Sequence, residues 1–177
     1  GIGVVVRVYA EAVEQGHHYL LPMIKTAFPG FVVELARLPT LPQVSANRSL
    51  HGILRWCDPD AIITVLIKKG NEFEERALAT IEFSEAVHTD DHVMQRVPQT
   101  FPCIAYDLVH IKISSHSLES IKPHGGVTSF NAKSVPRVLE DVFSSRAIFY
   151  PDWKLSTPTL LSKHSLFMSC PAPGKVP

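Results

Sequence analysis

The sequence has few cysteines, and their spacing excludes the usual structural uses of cysteine. The 177-residue chain contains Cys57, Cys103 and Cys170, which stand 46 and 67 residues apart. An odd number at such distances fits neither a disulfide framework nor a closely spaced pair of zinc ligands. This usage is typical of a reducing compartment.

An excess of charge of either sign is also missing. Lysine and arginine together number 17, as do aspartate and glutamate, so the formal net charge is zero. A strongly basic chain would indicate affinity for nucleic acid, and the balance here counts mildly against it. Binding depends on where cations cluster, however, and the 9 histidines add positive charge below about pH 6.5.

Long hydrophobic runs are absent as well. No stretch reaches the roughly 18 apolar residues of a membrane-spanning helix, and the opening segment GIGVVVRVYAEAV becomes charged too early for a signal peptide. We therefore expect an intracellular, cytoplasmic chain with no membrane partner. The opening glycines and the loose ending CPAPGKVP lead us to expect a trimmed chain whose neighbouring parts lie elsewhere.

What is present is the composition of a globular protein. Apolar residues make up 45% of the chain and charged residues 19%, proportions that exclude a disordered chain and supply a core. The length accommodates one ordinary domain but not two independent ones. We assign residues 1–150 to a core domain and residues 151–177, rich in Ser, Thr and Pro, to a tail.

Hydrophobic periodicity predicts a helix at the start of the chain. From Val4 to Phe28 apolar side chains recur at about 100° per residue, as in an amphipathic helix. Pro22 predicts a kink or a division into two shorter helices. Glu11 and Glu14 then lie on the polar face.

The rest of the chain predicts a sheet with helices around it. Strands are predicted over residues 31–38, 61–69, 76–87 and 103–114, with 61–69 and 76–87 antiparallel around Gly70. Loops are predicted over 39–49 and 122–133, and short helices over 92–97 and 135–143. We therefore expect an α/β (mixed α+β) fold whose central mixed sheet is flanked by helices.

Two acidic residues occupy unusual places in this predicted sheet. Asp60 follows Pro59 at the start of the strand over 61–69, and Glu82 lies in the middle of the apolar strand over 76–87. An uncompensated carboxylate there would cost several kcal/mol. A divalent cation, Mg²⁺ or Mn²⁺, shared by the two residues would compensate the charge, because such ions prefer oxygen ligands and need only one or two carboxylates. A bound ion of this kind suits phosphodiester hydrolysis.

This segment resembles the PD-(D/E)xK nuclease superfamily of restriction endonucleases and resolvases. Pro59-Asp60 matches the first part of the family motif, Glu82-Phe83-Ser84 matches the second, and a predicted short helix follows at 92–96. The match covers about forty residues, roughly a quarter of the chain. The resemblance implies a restriction-endonuclease-like fold and a metal-dependent endonuclease acting on double-stranded DNA. Two cuts on opposite strands imply a homodimer or a larger assembly.

The chain departs from the family motif at Ser84, where the family usually has a lysine that orients or activates the attacking water. A second metal ion, or a cation supplied by Lys68, Lys69 or Arg96, would replace that lysine. The alternative is a catalytically inactive nuclease-fold module that serves nucleic-acid binding or protein assembly.

The resemblance also implies roles for residues outside the motif. Glu11 or Glu14 would assist at the metal, Ser84 would position water, and Gln95 or Arg96 would contact water or phosphate. Apart from the resemblance, basic residues from Lys112 onward would form a rim that faces nucleic acid, together with Arg96 and Lys68, and a solvated surface is the plainer interpretation of that run. The plainer interpretation stays open, in which Asp60 is a cap and Glu82 pairs with a structural cation.

Other catalytic patterns are weak. The histidines show no HExxH spacing and no cysteine partners that would indicate zinc, although His88 and His92 would share one face of a helix near Glu82. The sequence contains no GxSxG elbow and no GxxxxGK[ST] phosphate loop. The carboxylate pair is therefore the principal candidate.

Overall fold

The described residues form one six-stranded mixed sheet. The computed structural model describes residues 3–84, 95, 97–114 and 146–150. The strands are β1 (Val4–Ala10), β2 (Val32–Arg37), β3 (Ala61–Lys69), β4 (Glu72–Ser84), β5 (Val109–Ser114) and β6 (Arg146–Tyr150). Their order is β2-β1-β3-β4-β5-β6, and the β1–β3 and β3–β4 pairs are antiparallel whereas the other pairs are parallel. The fold is α/β, as predicted.

Helices cover the sheet. They are α1 (Val13–Gln15), a π-helical turn (Gly16–Leu20), α2 (Leu21–Ala27), α3 (Arg48–Trp56) and α4 (Phe101–Ala105), with 3-10 turns at Leu41–Val44 and Val97–Thr100. In the described part of the chain, no helix has the length and apolar character needed to cross a membrane.

The first predicted helix is wrong over residues 4–10, which form a central strand. Val4, Val5, Val6 and Val8 are β-branched and suit a pleated surface. β1 pairs with β2 on one side and with β3 on the other, and this pairing outweighs the helical periodicity. Residues 13–27 are helical as predicted, and α2 begins next to Pro22.

The β3–β4 hairpin agrees with its prediction. The two strands are antiparallel, and Gly70 takes a φ of 63° in the turn, a conformation that glycine adopts without strain. β4 is longer than expected and starts at Glu72. The register shifts between Ile63 and Thr64, which pair with Ala79 and Ala77, so Leu78 is the extra residue of a β-bulge.

Two segments differ from their predictions because local capping and turns outweigh apolar content. The predicted loop over 39–49 contains a 3-10 turn and the start of α3, whose first turn is capped by the Asn47 side chain accepting from the Leu50 amide at 3.1 Å. The predicted strand over 103–114 begins only at Val109, because residues 101–105 form α4. The helix predicted at 135–143, the loop at 122–133 and the tail at 151–177 lie outside the described residues.

The core has two layers, one on each face of the sheet. Leu20, Met23 and Ile24 of the first helical segment pack on one face, against side chains that include Val8, Ile63 and Ile81. On the other face the core consists of Tyr9, Val44, Leu50, Ile53, Ile62, Ala77, Cys103 and Leu108. We call this second side the α3 face. A sheet covered on both faces explains why β3 is apolar almost throughout.

Glu75 organises a polar cluster on the α3 face. Its carboxylate accepts hydrogen bonds from the hydroxyls of Tyr9 at 3.0 Å and Thr64 at 2.7 Å, and Arg7 lies 3.4 Å away. Asn47 also donates to the Glu75 carbonyl at 3.1 Å, which fixes the start of α3 over this part of the sheet. The cluster borders a cleft of about 1350 Å³.

We expect Glu75→Ala to lower the free energy of unfolding by about 1–3 kcal/mol, because it removes the nearer acceptor of the fully buried Thr64 hydroxyl, at 2.7 Å, and leaves the Arg7 carbonyl at 3.4 Å. Thermal and urea denaturation would measure the loss. The matched control is Glu74→Ala at the neighbouring residue, whose partners Lys69 and Arg76 are exposed, and it should change the midpoint little. Equal losses in the two variants would contradict the role of Glu75.

Candidate functional site

Asp60 lies at the end of the sheet where β3 begins and β4 ends. Its Oδ2 atom accepts a hydrogen bond from the Phe83 amide at 2.6 Å, and its carbonyl accepts from the Glu11 amide at 2.9 Å. The Asp60 side chain therefore continues the β3–β4 ladder one step beyond the pair of Ala61 with Ile81. Its carboxylate is fixed beside the residue that follows Glu82.

Glu82 is a buried acidic residue with 5% relative exposure. Its neighbours Ile81 and Phe83 belong to the core beneath α2, whereas Thr80 contacts Cys103 on the α3 face. The alternation of a strand therefore places Glu82 on the α3 face with Thr80. Asp60 directly precedes β3, and the β3–β4 register, extended by one step from Ala61 and Ile81, brings its backbone opposite that of Glu82 at the same end of the sheet.

The donor chemistry of this pair fits a hard divalent cation. Mg²⁺ takes oxygen ligands, often one or two carboxylates, and keeps several waters. Within the described ranges, no group of three or more His, Cys, Asp or Glu side chains is arranged to hold a metal ion. The two carboxylates are an oxygen donor set of the kind that Mg²⁺ uses.

The other predicted acids lie near this end of the sheet but are exposed. Glu11 follows β1, not a helix as expected, and its amide contacts Asp60. Glu14 lies in α1. Both side chains are exposed to solvent, so Glu11 is beside Asp60 through its backbone, and no contact links Glu14 to either acid among the hydrogen bonds described.

Of the polar and basic residues predicted for the site, only some lie near Asp60 and Glu82. Ser84 is the last residue of β4. Lys68 and Lys69 lie at the opposite end of β3, eight and nine residues from Asp60, or roughly 26–30 Å at 3.3 Å per residue. They therefore lie too far from Asp60 to take the place of the lysine that the resembled motif contains. Gln95 is exposed, and Arg96, His88 and His92 lie outside the described residues.

Lys112 has a position that the sequence did not predict. It is the register partner of Glu82 in the parallel β4–β5 ladder. Neighbouring strands are about 4.8 Å apart, so the backbone of a basic residue runs directly beside that of Glu82. The sequence placed Lys112 on a strand, but the pairing of that strand with β4 depends on chain folding.

Three buried polar side chains, which were not predicted from the sequence, are linked by hydrogen bonds close to Glu82 in the strand. The Thr80 hydroxyl is 2.9 Å from His110 Nδ1 and 3.2 Å from Cys103 Sγ, and His110 is 4% exposed. The available signal was a histidine between apolar residues of a strand, in Val109-His110-Ile111. These hydrogen bonds hold α4 and β5 against the part of β4 that carries Glu82.

The two described thiols are poor nucleophiles. Burial raises the pKa of Cys57 to about 12, with smaller contributions from Cys103, Asp58 and Glu82. Burial also raises the pKa of Cys103 to about 11, opposed by its hydrogen bond with Thr80. Both thiols stay protonated near neutral pH, so a cysteine nucleophile does not fit this site.

Comparison with protein-family models finds no match to this chain, and comparison with curated proteins finds none either. The assignment of a function therefore depends on the geometry of the chain's own residues.

We expect Asp60→Ala to expose the Phe83 amide, because the substitution removes its acceptor. Hydrogen exchange of this amide should accelerate, with an energetic cost of about 1–3 kcal/mol. Asp60→Asn keeps an oxygen acceptor without the charge and should preserve most of the protection. Equal exchange rates in the wild type and the alanine variant would show that the carboxylate does not hold β4.

We expect Cys57 and Cys103 to react slowly with a disulfide reagent at about pH 8 in a Cys170→Ser background, because almost no thiolate is present. Denaturant should restore ordinary rates. Because folding raises both pKa values, their stabilising contribution is fully present below about pH 8.5. It is lost as the pH rises toward 12. Fast labelling of the native protein would contradict the burial of these thiols.

Proposed function

We propose that this protein is a metal-dependent endonuclease that hydrolyses phosphodiester bonds of DNA in the cytoplasm. The observation that carries the proposal is the hydrogen bond from the Phe83 amide to the Asp60 carboxylate at 2.6 Å, next to the buried Glu82. We infer that the two acids, one just before β3 and the other near the end of β4, lie close enough to share a cation.

The proposal assigns the metal to Asp60 and Glu82. Their oxygens are the ligands that Mg²⁺ or Mn²⁺ prefers. When bound, such an ion lowers the pKa of a coordinated water and neutralises charge on the phosphate. Asp60 is directed by its bond to the Phe83 amide, and Glu82 is buried in β4 two residues after Thr80.

The remaining roles are assigned from position. Ser84, two residues beyond Glu82, would position water. Lys112, the register partner of Glu82, is the basic residue that we assign to the place of the family's lysine. Glu11, whose amide contacts Asp60, is preferred over Glu14 as the assisting acid. Gln95 and Arg96 keep their proposed contacts with water or phosphate.

Cleavage of both strands of double-stranded DNA would need two active centres. We therefore propose a homodimer or a larger assembly as the active form. Sedimentation of the protein with and without a DNA duplex would measure its stoichiometry.

The second candidate is an inactive nuclease-fold module that binds nucleic acid or assembles with protein. The observation that favours it is Ser84, which ends β4 where the family motif has lysine. A hydroxyl group cannot supply the positive charge of an ammonium group. The two candidates differ in one measurement, which is metal-dependent cutting.

We expect plasmid DNA to be cut in Mg²⁺ and not in EDTA. Asp60→Asn and Glu82→Gln should lower the rate at least about a hundredfold, since loss of groups outside the ligand set already costs 10–100-fold. DNA binding in EDTA should persist in both variants. Glu74→Gln, remote from the site, is the control. Unchanged cutting by the Glu82 variant would end the nuclease proposal.

We expect Lys112→Met to slow cutting while Lys68→Met does not, because only Lys112 is in register with Glu82. Rates at saturating DNA separate this effect from weaker binding. Ser84→Lys distinguishes the second candidate. Metal-dependent cutting that appears only in this variant would favour the inactive module.

A further inference from the structure

The strand β2 forms one edge of the sheet. In the described part of the chain, the only strand beside it is β1. The Leu38 amide, just after β2, donates to the Ala10 carbonyl of β1 at 2.9 Å. Backbone groups of successive strand residues point alternately to the two sides of a strand, so every second residue of β2 directs its amide and carbonyl away from the sheet. These residues are Val33, Leu35 and Arg37.

This edge lacks the features that usually prevent pairing between sheet edges. Such edges commonly carry a proline, a lysine or a β-bulge. The sequence of β2 (VVELAR) has no proline or lysine, and β2 pairs with β1 in an unbroken register. Its one acidic residue, Glu34, accepts a hydrogen bond from Arg7. Apolar side chains are exposed where the strand begins, since Val32 is 64% exposed and Phe31 is 49% exposed. The edge is therefore a template for another strand.

We infer that β2 pairs antiparallel with β2 of a second copy of this chain, so that two six-stranded sheets join into one continuous sheet. A two-fold axis perpendicular to the sheet produces this pairing, and two-fold dimers are the commonest soluble oligomers. The inference names the interface of the dimer proposed above and in that respect rests on that proposal, although its argument uses no nuclease chemistry.

The side chains of β2 exclude most registers of such a pair. Because outward-pointing residues must face one another, the two-fold axis passes through a residue position. An axis through Glu34 or through Arg37 would place two identical charges directly opposite each other, which destabilises a strand pair. An axis through Ala36 would place Val33 opposite Pro39, which has no amide to donate.

An axis through Leu35 avoids these faults. An axis through Val32 or Val33 would use Phe31, whose amide already donates to a carbonyl of the preceding turn at 3.3 Å. The axis through Leu35 pairs the three outward-pointing residues with one another. It also places the exposed Val32 opposite Leu38 of the second copy, which is a favourable apolar pair. The strand is thus complementary to itself in one register, and this complementarity identifies a second copy as the occupant.

The first test measures the mass of the full chain by sedimentation over a range of concentrations, in EDTA and without DNA. The wild type should change from monomer to dimer as the concentration rises. Val32→Lys should weaken dimerisation about 10- to 100-fold, because a charge then faces Leu38 at two symmetric places. Phe73→Lys, at a residue 56% exposed in β4, is the control and should leave dimerisation unchanged. A wild type that is monomeric at every concentration overturns the inference.

A pair of cysteines tests the register. Val32 and Leu38 of the second copy would be partners without a hydrogen bond between them, with Cα atoms about 4.5 Å apart, which a disulfide can span. In a Cys170→Ser background, oxidised glutathione should link two chains of the Val32→Cys, Leu38→Cys double variant on a non-reducing gel. Within one chain the two positions are six residues apart, or roughly 20 Å along the strand, so an internal disulfide cannot form. Linking by either single variant, or no linking by the double variant, overturns the inference.

The outcomes distinguish this inference from the nuclease proposal. A dimer that is linked only in the double variant, with no metal-dependent cutting by the wild type, supports the interface and overturns the metal chemistry. Metal-dependent cutting, together with a Val32→Lys variant that dimerises like the wild type, overturns the interface. Trp56 is another exposed apolar residue, at 62%. A monomeric Trp56→Lys variant beside a dimeric Val32→Lys variant would assign self-association to Trp56 and overturn the inference as well.

Discussion

The hydrogen bond from the Phe83 amide to the Asp60 carboxylate is the contact on which the candidate site depends. The last backbone pair of the β3–β4 ladder joins Ala61 to Ile81. Beyond it, just after Pro59, the acceptor for the β4 amide is the Asp60 side chain and not a β3 carbonyl. Because the donor is a main-chain group, the direction of the carboxylate is fixed by the strand itself. Glu82 precedes that donor in β4, one register step beyond the pair of Ile81 with Ala61.

The β-bulge at Leu78 determines which side of the sheet carries the polar residues of β4. Glu75 and Glu82 are seven residues apart, and an unbroken alternation would place them on opposite faces. The extra residue reverses the alternation. Glu75 therefore contacts Thr64, and Thr80 contacts Cys103, both on the α3 face. Glu75 and Glu82 thus lie on the same face of the sheet.

Helix α3 separates two regions of different character on that face. Its first turn is fixed by Asn47 over the Glu75 cluster, where the hydrogen bonds stabilise the sheet. About 13 Å away at 1.5 Å per residue, its last residue is the exposed Trp56. The chain then passes through Cys57 to Asp60. The hydrogen bonds that fix α3 on the sheet lie at the start of the helix, and the candidate acid Asp60 lies beyond its end.

The sequence by itself determined the α/β class and the β3–β4 hairpin, and it singled out the two acids as candidates, because these depend on local signals. A nearly continuous apolar strand, a glycine turn and a carboxylate among apolar residues are all visible within a few positions. The strand over 4–10 was mistaken for a helix because its periodicity fits both structures, and only pairing with β2 and β3 selected the strand.

Only the tertiary structure decided which residues lie near the two candidate acids. It brought Lys112 into register with Glu82. It also placed Lys68 and Lys69 at the end of β3 that is far from Asp60. It also joined Trp56 to Phe101 across two helices. These relations depend on strand order, on one bulge and on contacts between residues distant in sequence, and the periodicity of a single segment contains none of them.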